Sequence, residues 1–342
     1  MRALVRWTGP IAIAAMQALV RWTGPIAAMQ ALVRWAGPIA IAAALGCAGP
    51  AEIAPLTAAQ RLNAEGLRRL ARGDADAAEP TFRDALREAT LVDNLRGQAE
   101  AWNNLGALAA ARGDMEEARR DHRRALSLHE ERAVRDLGEV RARANLGMAL
   151  LRLGDAGAAE AQLAEAAALA ERLGRPEAAL LARVGLAAAA LHRGDPARAA
   201  ALARAVGLDA QWFGDDAARA AALAVEGSAR AALGDARGAR ARLEQALAID
   251  RSREAPREVA EDLRALARVA EQAGDRSGAA RYWARCARAA RWRGDLAEAE
   301  RALRQAIAMG GSGEGEALKA ELAAVMEART AGARARGSAP RP

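Results

Sequence analysis

The chain has 342 residues, is rich in alanine and arginine, and contains one tyrosine and two phenylalanines. This shortage of strand-forming residues predicts an all-α protein. The net charge of +7 includes four arginines in residues 1–46, which contain no acid, so 46 basic residues face 43 acidic ones in the remainder. A near-neutral surface without stacking aromatics or a recognition-helix pattern does not favour a nucleic-acid partner.

Residues 1–46 contain three copies of one short segment. MRALVRWTGPIA, MQALVRWTGPIA and MQALVRWAGPIA begin at Met1, Met16 and Met29. From Met29 onward, a basic start, an apolar stretch of about ten residues and small residues before a cysteine follow the design of a secretory signal. We therefore expect residues 1–46 to be a signal peptide with a tandem-duplicated leader, whose true start is Met29 or Met16.

Ala44-Leu45-Gly46-Cys47 resembles the lipobox of bacterial lipoproteins, although leucine usually stands three residues before the cysteine. The resemblance implies that the Cys47 thiol is diacylated and becomes the new N-terminus of a lipidated tether, residues 47–56. Two acyl chains anchor a protein stably to a membrane. Since Ala48 is not aspartate, the sorting rule of well-studied bacteria implies the outer membrane, facing the periplasm. A membrane-spanning helix and an ordinary cleaved signal are the alternatives; no uncharged run reaches about 18 residues.

A Gly-Asp pair recurs after residue 57 at a spacing of 40 or 41 residues. Glycine suits the left-handed position that ends a helix, and aspartate can cap the amides of the next helix. The spacing therefore predicts an array of helical repeats over residues 57–309. The pairs are Gly73-Asp74, Gly113-Asp114, Gly154-Asp155, Gly194-Asp195, Gly234-Asp235, Gly274-Asp275 and, after a shorter step, Gly294-Asp295.

Three columns of small residues keep a constant distance from each corner glycine. Alanine stands five residues after it, glycine or alanine seven before it, and mostly alanine twelve after it. Antiparallel helices can approach closely only where both present small side chains, so these columns predict the helix-to-helix contacts. The pattern predicts thirteen helices up to Met309. A Gly-rich turn and a capping helix follow over 310–330, and we expect residues 331–342 to be a disordered basic tail.

The run Trp102-x2-Leu105-Gly106, with Ala118 and Ala125 downstream, resembles the tetratricopeptide repeat. The resemblance implies a right-handed superhelical α-solenoid of antiparallel helix pairs. The usual unit has about 34 residues. The proline that closes it is missing here, so the second helix of each pair can extend and give repeats of about 40 residues.

The same resemblance implies a concave groove lined by the first helix of each pair. An asparagine amide can hold an extended peptide backbone, and arginine can pair with carboxylates. Alternatively, the asparagines only link neighbouring repeats. The groove positions Leu181, Val184, Ala221 and Ala224 are apolar or small, which indicates a ligand with an apolar middle. The groove positions are Asn63, Asn103, Asn104, Arg141, Asn145, Met148, Arg152, His192, Arg264 and Arg268.

Little in the sequence indicates catalysis, and we expect no enzyme activity, cofactor, metal site or small-molecule substrate. Cys286 lies in a small-residue column and is predicted to be part of the core. His122 and His129 are seven residues apart, but His122 occupies a position of large core residues, which favours packing over metal binding. No Lys-Ser or Lys-Thr follows the glycines of 310–315, so a phosphate loop is not expected.

The sequence therefore favours a non-catalytic scaffold: a membrane-anchored lipoprotein that binds a protein or peptide partner in its concave groove. Two alternatives remain. The chain could be an assembly or cell-envelope factor that organises an enzyme or secretion complex through other surfaces, where Trp212-Phe213 would be a candidate hot spot. It could also be a cytoplasmic repeat regulator whose apparent leader is misread.

Overall fold

The computed structural model describes residues 57–72, 74–133, 135–310 and 315–337. The predicted signal peptide, the lipidation site Cys47 and its tether lie outside the described residues. Within these ranges the chain forms fourteen α-helices and one short 3-10 helix, and no strand occurs there. The predicted all-α fold is confirmed. No helix in the described part is both long and apolar enough to cross a bilayer.

The α-helices follow one another as antiparallel neighbours, and the 3-10 helix Pro176–Ala179 precedes α7. Their bounds are α1 Ala58–Ala71, α2 Ala75–Leu91, α3 Leu95–Arg112, α4 Met115–Glu131, α5 Leu137–Arg152, α6 Ala156–Arg172, α7 Leu180–His192, α8 Pro196–Phe213, α9 Asp216–Ala232, α10 Ala236–Ser252, α11 Pro256–Gln272, α12 Arg276–Trp292, α13 Leu296–Met309 and α14 Gly315–Gly337.

These bounds match the thirteen helices expected before Met309, and α14 is the fourteenth. It runs to Gly337 rather than ending at Thr330. Helix α12 packs against both α11 and α13, so after the short step it belongs to two successive repeats. The second helices α2, α4, α6 and α10 each have 17 residues, so they do extend in the absence of the closing proline.

The Gly-Asp corners have the predicted geometry. The corner glycines from Gly113 to Gly294 have φ between +75° and +89°, a region that costs other residues steric strain. Each corner aspartate, for example Asp114, accepts a hydrogen bond from the backbone N–H three residues later. Such a cap contributes about 1 kcal/mol to helix stability.

The small-residue columns form the seams between helices. The alanines five residues after the corners are fully buried, and so are most residues of the other two columns. In four pairs, the glycine of the first helix lies opposite a large side chain of the second, and a Cβ on that glycine would fall 2.4 to 2.7 Å from it. These contacts are Gly66 with Phe82, Gly106 with His122, Gly147 with Leu163 and Gly227 with Leu243.

The first helices of the pairs, α1, α3, α5, α7, α9 and α11, lie on the inner side of the array. Each contacts the next first helix as well as its own partner, whereas successive second helices do not pack closely together in the described ranges. A stack must curve toward its first helices when these lie closer to one another than the second helices do. These helices therefore form the concave face.

Two features of the core differ from the sequence-based expectations. The helical spacing of Trp102 from Leu105 and Leu108 predicts that it is buried, but it is only half-buried, with the Arg124 guanidinium 4.6 Å above its ring. Glu226 is 2% exposed, and Arg230, Arg204 and Arg242 lie within 2.9 to 3.4 Å of its carboxylate. The pattern of apolar residues contained no sign of this buried ion cluster.

Replacing a seam glycine tests the close approach of the helices. In Gly147→Ala the new Cβ would lie 2.5 Å from Leu163 Cγ and 3.3 Å from the Ala159 carbonyl oxygen. Overpacking of this kind costs about 1–3 kcal/mol, which exceeds the gain in helix propensity of about 1 kcal/mol. We expect a lower midpoint in urea unfolding followed by far-UV circular dichroism.

The matched control is Gly157→Ala, on the exposed side of α6, where the new Cβ would meet only Asp155 Oδ1 at 3.9 Å. This variant should be more stable than the wild type by up to about 1 kcal/mol, since only the helix propensity changes. Equal shifts in the two variants would contradict the seam.

Candidate functional site

The concave face contains two cavities, and the predicted groove residues are distributed around them. The first cavity, of about 190 Å³, lies between α1, α3 and α5. The second, of about 510 Å³, lies between α5, α7, α9, α10 and α11. Asn63, Asn103, Asn104 and Arg141 line the first; Met148, His192, Arg264 and Arg268 line the second.

The four asparagines of the groove are hydrogen-bonded in pairs. Asn104 Nδ2 donates to Asn63 Oδ1 at 3.0 Å, and Asn145 Nδ2 donates to Asn103 Oδ1 at 3.1 Å. The first bond joins α1 to α3 and the second joins α3 to α5. The asparagines thus link neighbouring repeats, which was one of the two expectations, and three of them also line the first cavity.

Asn63 has an unused donor. The residue is 5% exposed, and its Nδ2 has no hydrogen-bond partner among the described residues. Leaving a buried amide donor unpaired costs about 1–3 kcal/mol. Because Asn63 lines the first cavity, a carbonyl oxygen placed there would satisfy this donor.

His122 of α4 contacts one of the asparagine pairs through Asn103. Burial lowers the pKa of His122 to about 4, so the ring is neutral at pH 7. Its Nδ1 lies 3.1 Å from Asn103 Oδ1, and since that oxygen only accepts, Nδ1 carries the proton and donates. His129 is also buried, with its Nδ1 3.4 Å from Asp136 Oδ1. Both histidines are buried, and His129 also lines the first cavity.

The second cavity has an apolar wall and a polar end. Its wall comes from α7 and α9 and includes three of the four predicted apolar groove positions, Val184, Ala221 and Ala224, but not Leu181. The wall residues are Val184, Ala188, Leu191, Ala217, Ala221, Ala224 and Val225. The polar end comes from α10 and α11 and contains Asp250, Glu258, Glu261 and Asp262.

The Arg152–Glu261 ion pair closes the ring of helices around the second cavity. Arg152 is at the end of α5, and its guanidinium nitrogen lies 3.0 Å from Glu261 Oε1 on α11, 109 residues further along the chain. Both side chains are more than a third exposed, so the pair contributes at most about 1 kcal/mol. Its significance is geometric: α5 and α11 face each other across the cavity.

The remaining predicted positions differ in how freely they face the groove. Arg141, His192 and Arg268 are exposed, and Met148 is half-buried. Arg264 turns partly away, since its guanidinium pairs with Glu298 of α13 at 2.9 Å. The acidic residues of α11 were not among the predicted groove positions. The helical spacing that places residues on one face of α11 includes Glu258, Glu261, Asp262 and Ala265. With α11 identified as a groove helix, this spacing would have predicted an acidic groove surface.

Residues 97–172 match the tetratricopeptide repeat family. No curated protein matches the sequence. The match spans α3 to α6, the two helix pairs that contribute most of the asparagine network.

Several solved structures share the fold at low sequence identity. NprR, crystallised in complex with its cognate peptide NprX, is 14% identical, with a TM-score of 0.60 over 97% of this chain and 94% of that one. The apo form of RapI is 10% identical, with a TM-score of 0.52 over 74% and 97%. A signal-transduction ATPase with a tetratricopeptide repeat sensor from Pyrococcus horikoshii is 15% identical, with a TM-score of 0.54 over 72%; this chain spans 38% of its length.

The buried histidine makes stability depend on pH in a defined window. The pKa of His122 falls from 6.5 in the unfolded chain to about 4 in the folded protein, so the unfolded chain binds a proton first as pH falls. The folded state therefore loses stability between pH 6.5 and about 4, by up to about 3 kcal/mol. We expect His122→Leu to remove this part of the acid sensitivity in urea unfolding measured across that range.

Leucine is the appropriate replacement, because Leu163 and Leu243 occupy the corresponding positions opposite Gly147 and Gly227. Acidic groups elsewhere titrate equally in both proteins, so the difference between the two stability curves isolates the histidine. Parallel curves for wild type and variant would contradict a neutral, buried His122.

Proposed function

We propose that this chain is a non-catalytic scaffold that binds an extended peptide, or an extended segment of a protein, along its concave face. The observation that carries the proposal is the pair of cavities on that face, one with an unused amide donor and one with an apolar wall. The likeness in fold to NprR, a protein solved with its cognate peptide, supports the same kind of ligand.

Recognition would depend on a preformed surface. The seams hold the first helices at fixed distances, so the groove residues are positioned before the ligand arrives and little ordering free energy is lost on their side. The asparagines would bind backbone amides of the peptide, since each offers a donor and an acceptor. Apolar side chains in the middle of the peptide would lie against Val184, Ala221 and Val225.

We further propose that Cys47 is diacylated and that the repeat array is held at the outer membrane, facing the periplasm. The lipobox-like order of Ala44 to Cys47 and the signal-like segment before it support this location. The short tether of residues 47–56 would keep the groove near the membrane surface. The partner would then be a protein of the cell envelope.

A second candidate function is supported by the end of α8. Trp212 is 86% exposed, Leu208 65% and Phe213 42%, although large apolar side chains usually avoid solvent. Such a group of residues suits the anchoring of a partner outside the groove, as in a factor that organises an enzyme or secretion complex.

The groove is tested with the double variant Asn104→Ala, Asn145→Ala in a crosslinking pull-down from membranes, with partners identified by mass spectrometry. The variant would lose the hydrogen bonds that the two asparagines make to the peptide, which reduces the affinity for the partner by about tenfold or more. Recovery of the partner should therefore fall. Circular dichroism must show that the variant remains helical. Trp212→Ala is the discriminating control, because it leaves the groove intact.

Loss of the partner in Trp212→Ala, with retention in the asparagine variant, would overturn groove binding and favour the second candidate. An exposed arginine of a second helix, changed in Arg237→Ala, should affect neither result, since it lies outside both cavities and outside the α8 group.

The anchor is tested with Cys47→Ser in the full-length chain. Wild type should incorporate labelled fatty acid and sediment with membranes, whereas the variant should lose both properties because serine offers no thiol for acylation. Intact mass spectrometry provides an independent measurement. A mature wild-type protein that retains residues upstream of Cys47 would contradict cleavage at this position.

A further inference from the structure

Two carboxylic acids at the polar end of the second cavity are buried, and one lacks a counter-charge. Asp250 and Asp262 are each 3% exposed. Asp250 is paired, with Arg253 Nη1 2.6 Å from its Oδ1. Asp262 lines the cavity, and in the described part of the chain its Oδ2 has no hydrogen-bond partner. A buried carboxyl oxygen without a partner is costly and calls for an explanation.

Most of the arginines near this end are engaged with other acids, including Arg257, which lies 3.4 Å from Glu261, whereas Arg268 lines the cavity and is exposed. Arg253 binds Asp250, Arg152 binds Glu261 at 3.0 Å, and Arg264 binds Glu298 at 2.9 Å. No arginine, lysine or histidine of the described ranges forms an ion pair with Asp262. Asp262 is therefore a buried carboxyl of this end for which the described residues show no arginine partner.

The protonation of Asp262 agrees with the lack of an arginine partner. Burial, followed by the nearby carboxylates of Asp250, Glu261 and Glu258, raises the pKa of Asp262 to about 8. Burial also raises the pKa of Asp250, although Arg253 opposes the shift. At pH 7 Asp262 thus holds a proton and shares a hydrogen bond with Asp250. A cation placed at Oδ2 would reverse the preference and release that proton.

We propose that the second cavity binds the ammonium or guanidinium group of a lysine or arginine side chain, donated to Asp262 Oδ2 by the bound peptide. The inference rests on the groove function proposed above and specifies its ligand. The aliphatic stem of either side chain lies along Val184, Ala221 and Val225, and the positive group reaches the acidic end. Neighbouring residues of the peptide occupy the rest of the 510 Å³ cavity and are apolar.

A ligand with a cationic side chain differs from one that only the asparagine network recognises. That network offers hydrogen bonds to a peptide backbone and is indifferent to side-chain charge. An Asp262 that accepts a charge-assisted hydrogen bond in a buried site adds selectivity for one cationic position. The preferred sequence is then a lysine or arginine flanked by apolar residues.

The test is a selection from a displayed, randomised heptapeptide library against the full chain, wild type and Asp262→Asn. Asparagine has nearly the same shape as a protonated aspartate, so the fold should be preserved, and circular dichroism verifies this. Wild type should enrich lysine or arginine at one position between apolar residues. The affinity of a selected peptide should fall about ten- to a hundredfold in Asp262→Asn, and replacing its cation by norleucine should have a similar effect in wild type.

Titration calorimetry at pH 7 in two buffers of different ionisation enthalpy measures the proton. Wild type should release a proton on binding the selected peptide, and Asp262→Asn should release none. Glu171→Gln removes an exposed carboxylate of α6 outside both cavities and is the charge-matched control. It should bind like wild type.

The outcomes distinguish this inference from the groove function itself. Selected peptides without a cationic preference, or with equal affinity for Asp262→Asn, would overturn the inference while groove binding stands. A wild type that selects no peptide would overturn both. Free n-butylamine is the final arm: binding as tight as that of the peptide, with the same dependence on Asp262, would assign the site to small amines instead and overturn the peptide ligand.

Discussion

The close approach of paired helices at glycine and alanine seams is the constraint on which the rest of this structure depends. A large side chain on one helix, such as Phe82 or Leu163, is accommodated only because the facing position on the other helix has no side chain. Each seam thereby sets the distance and rotation between two helices. Since the spacing of 40 or 41 residues repeats the same seam, each pair is placed on the previous one in nearly the same way, and the array curves.

The concave face follows from that repetition, and its chemistry follows from where the repeats differ. Small residues dominate the seams, so the first helices can present other residues inward without disturbing the packing. In the N-terminal pairs these residues are asparagines, which bond across neighbouring helices. In the central pairs they are alanine and valine, and in α11 they are acidic. One scaffold thus provides a polar, an apolar and an acidic region in sequence along a single groove.

Buried polar atoms without a hydrogen-bond partner lie at both ends of this groove, and His129 Nδ1 and Glu139 Oε2 also lack a partner among the described residues. Asn63 retains an unused donor and Asp262 an unused acceptor, and each reduces the stability of the array. By contrast, the buried Glu226 is surrounded by three arginines and has its charge balanced within the protein. The balance of charge within the protein thus distinguishes Glu226 from Asp262.

The corner pairs and small-residue columns were sufficient to predict the fold, since left-handed glycines, aspartate caps and close helix contacts all depend on residues near in sequence or on a constant period. The turns that join a second helix to the next repeat were harder to predict from the sequence. At two of them the residue with positive φ is Ala133 or Glu254 rather than glycine. Eight of the ten resemblance-based groove positions line the two cavities, and Asn145 and Arg152 line neither. The sequence left open whether the asparagines bind each other.

Only the tertiary structure decided which residues from distant repeats share one site. Arg152 and Glu261 are 109 residues apart, and their pairing depends on the curvature accumulated over several repeats. The absence of an arginine partner at Asp262 likewise depends on the acids with which Arg253, Arg152 and Arg264 pair instead. A periodic sequence determines how each helix pair packs on the previous one. The curvature that accumulates over several pairs brings α5 and α11 together around one cavity, and it is seen only in the tertiary structure.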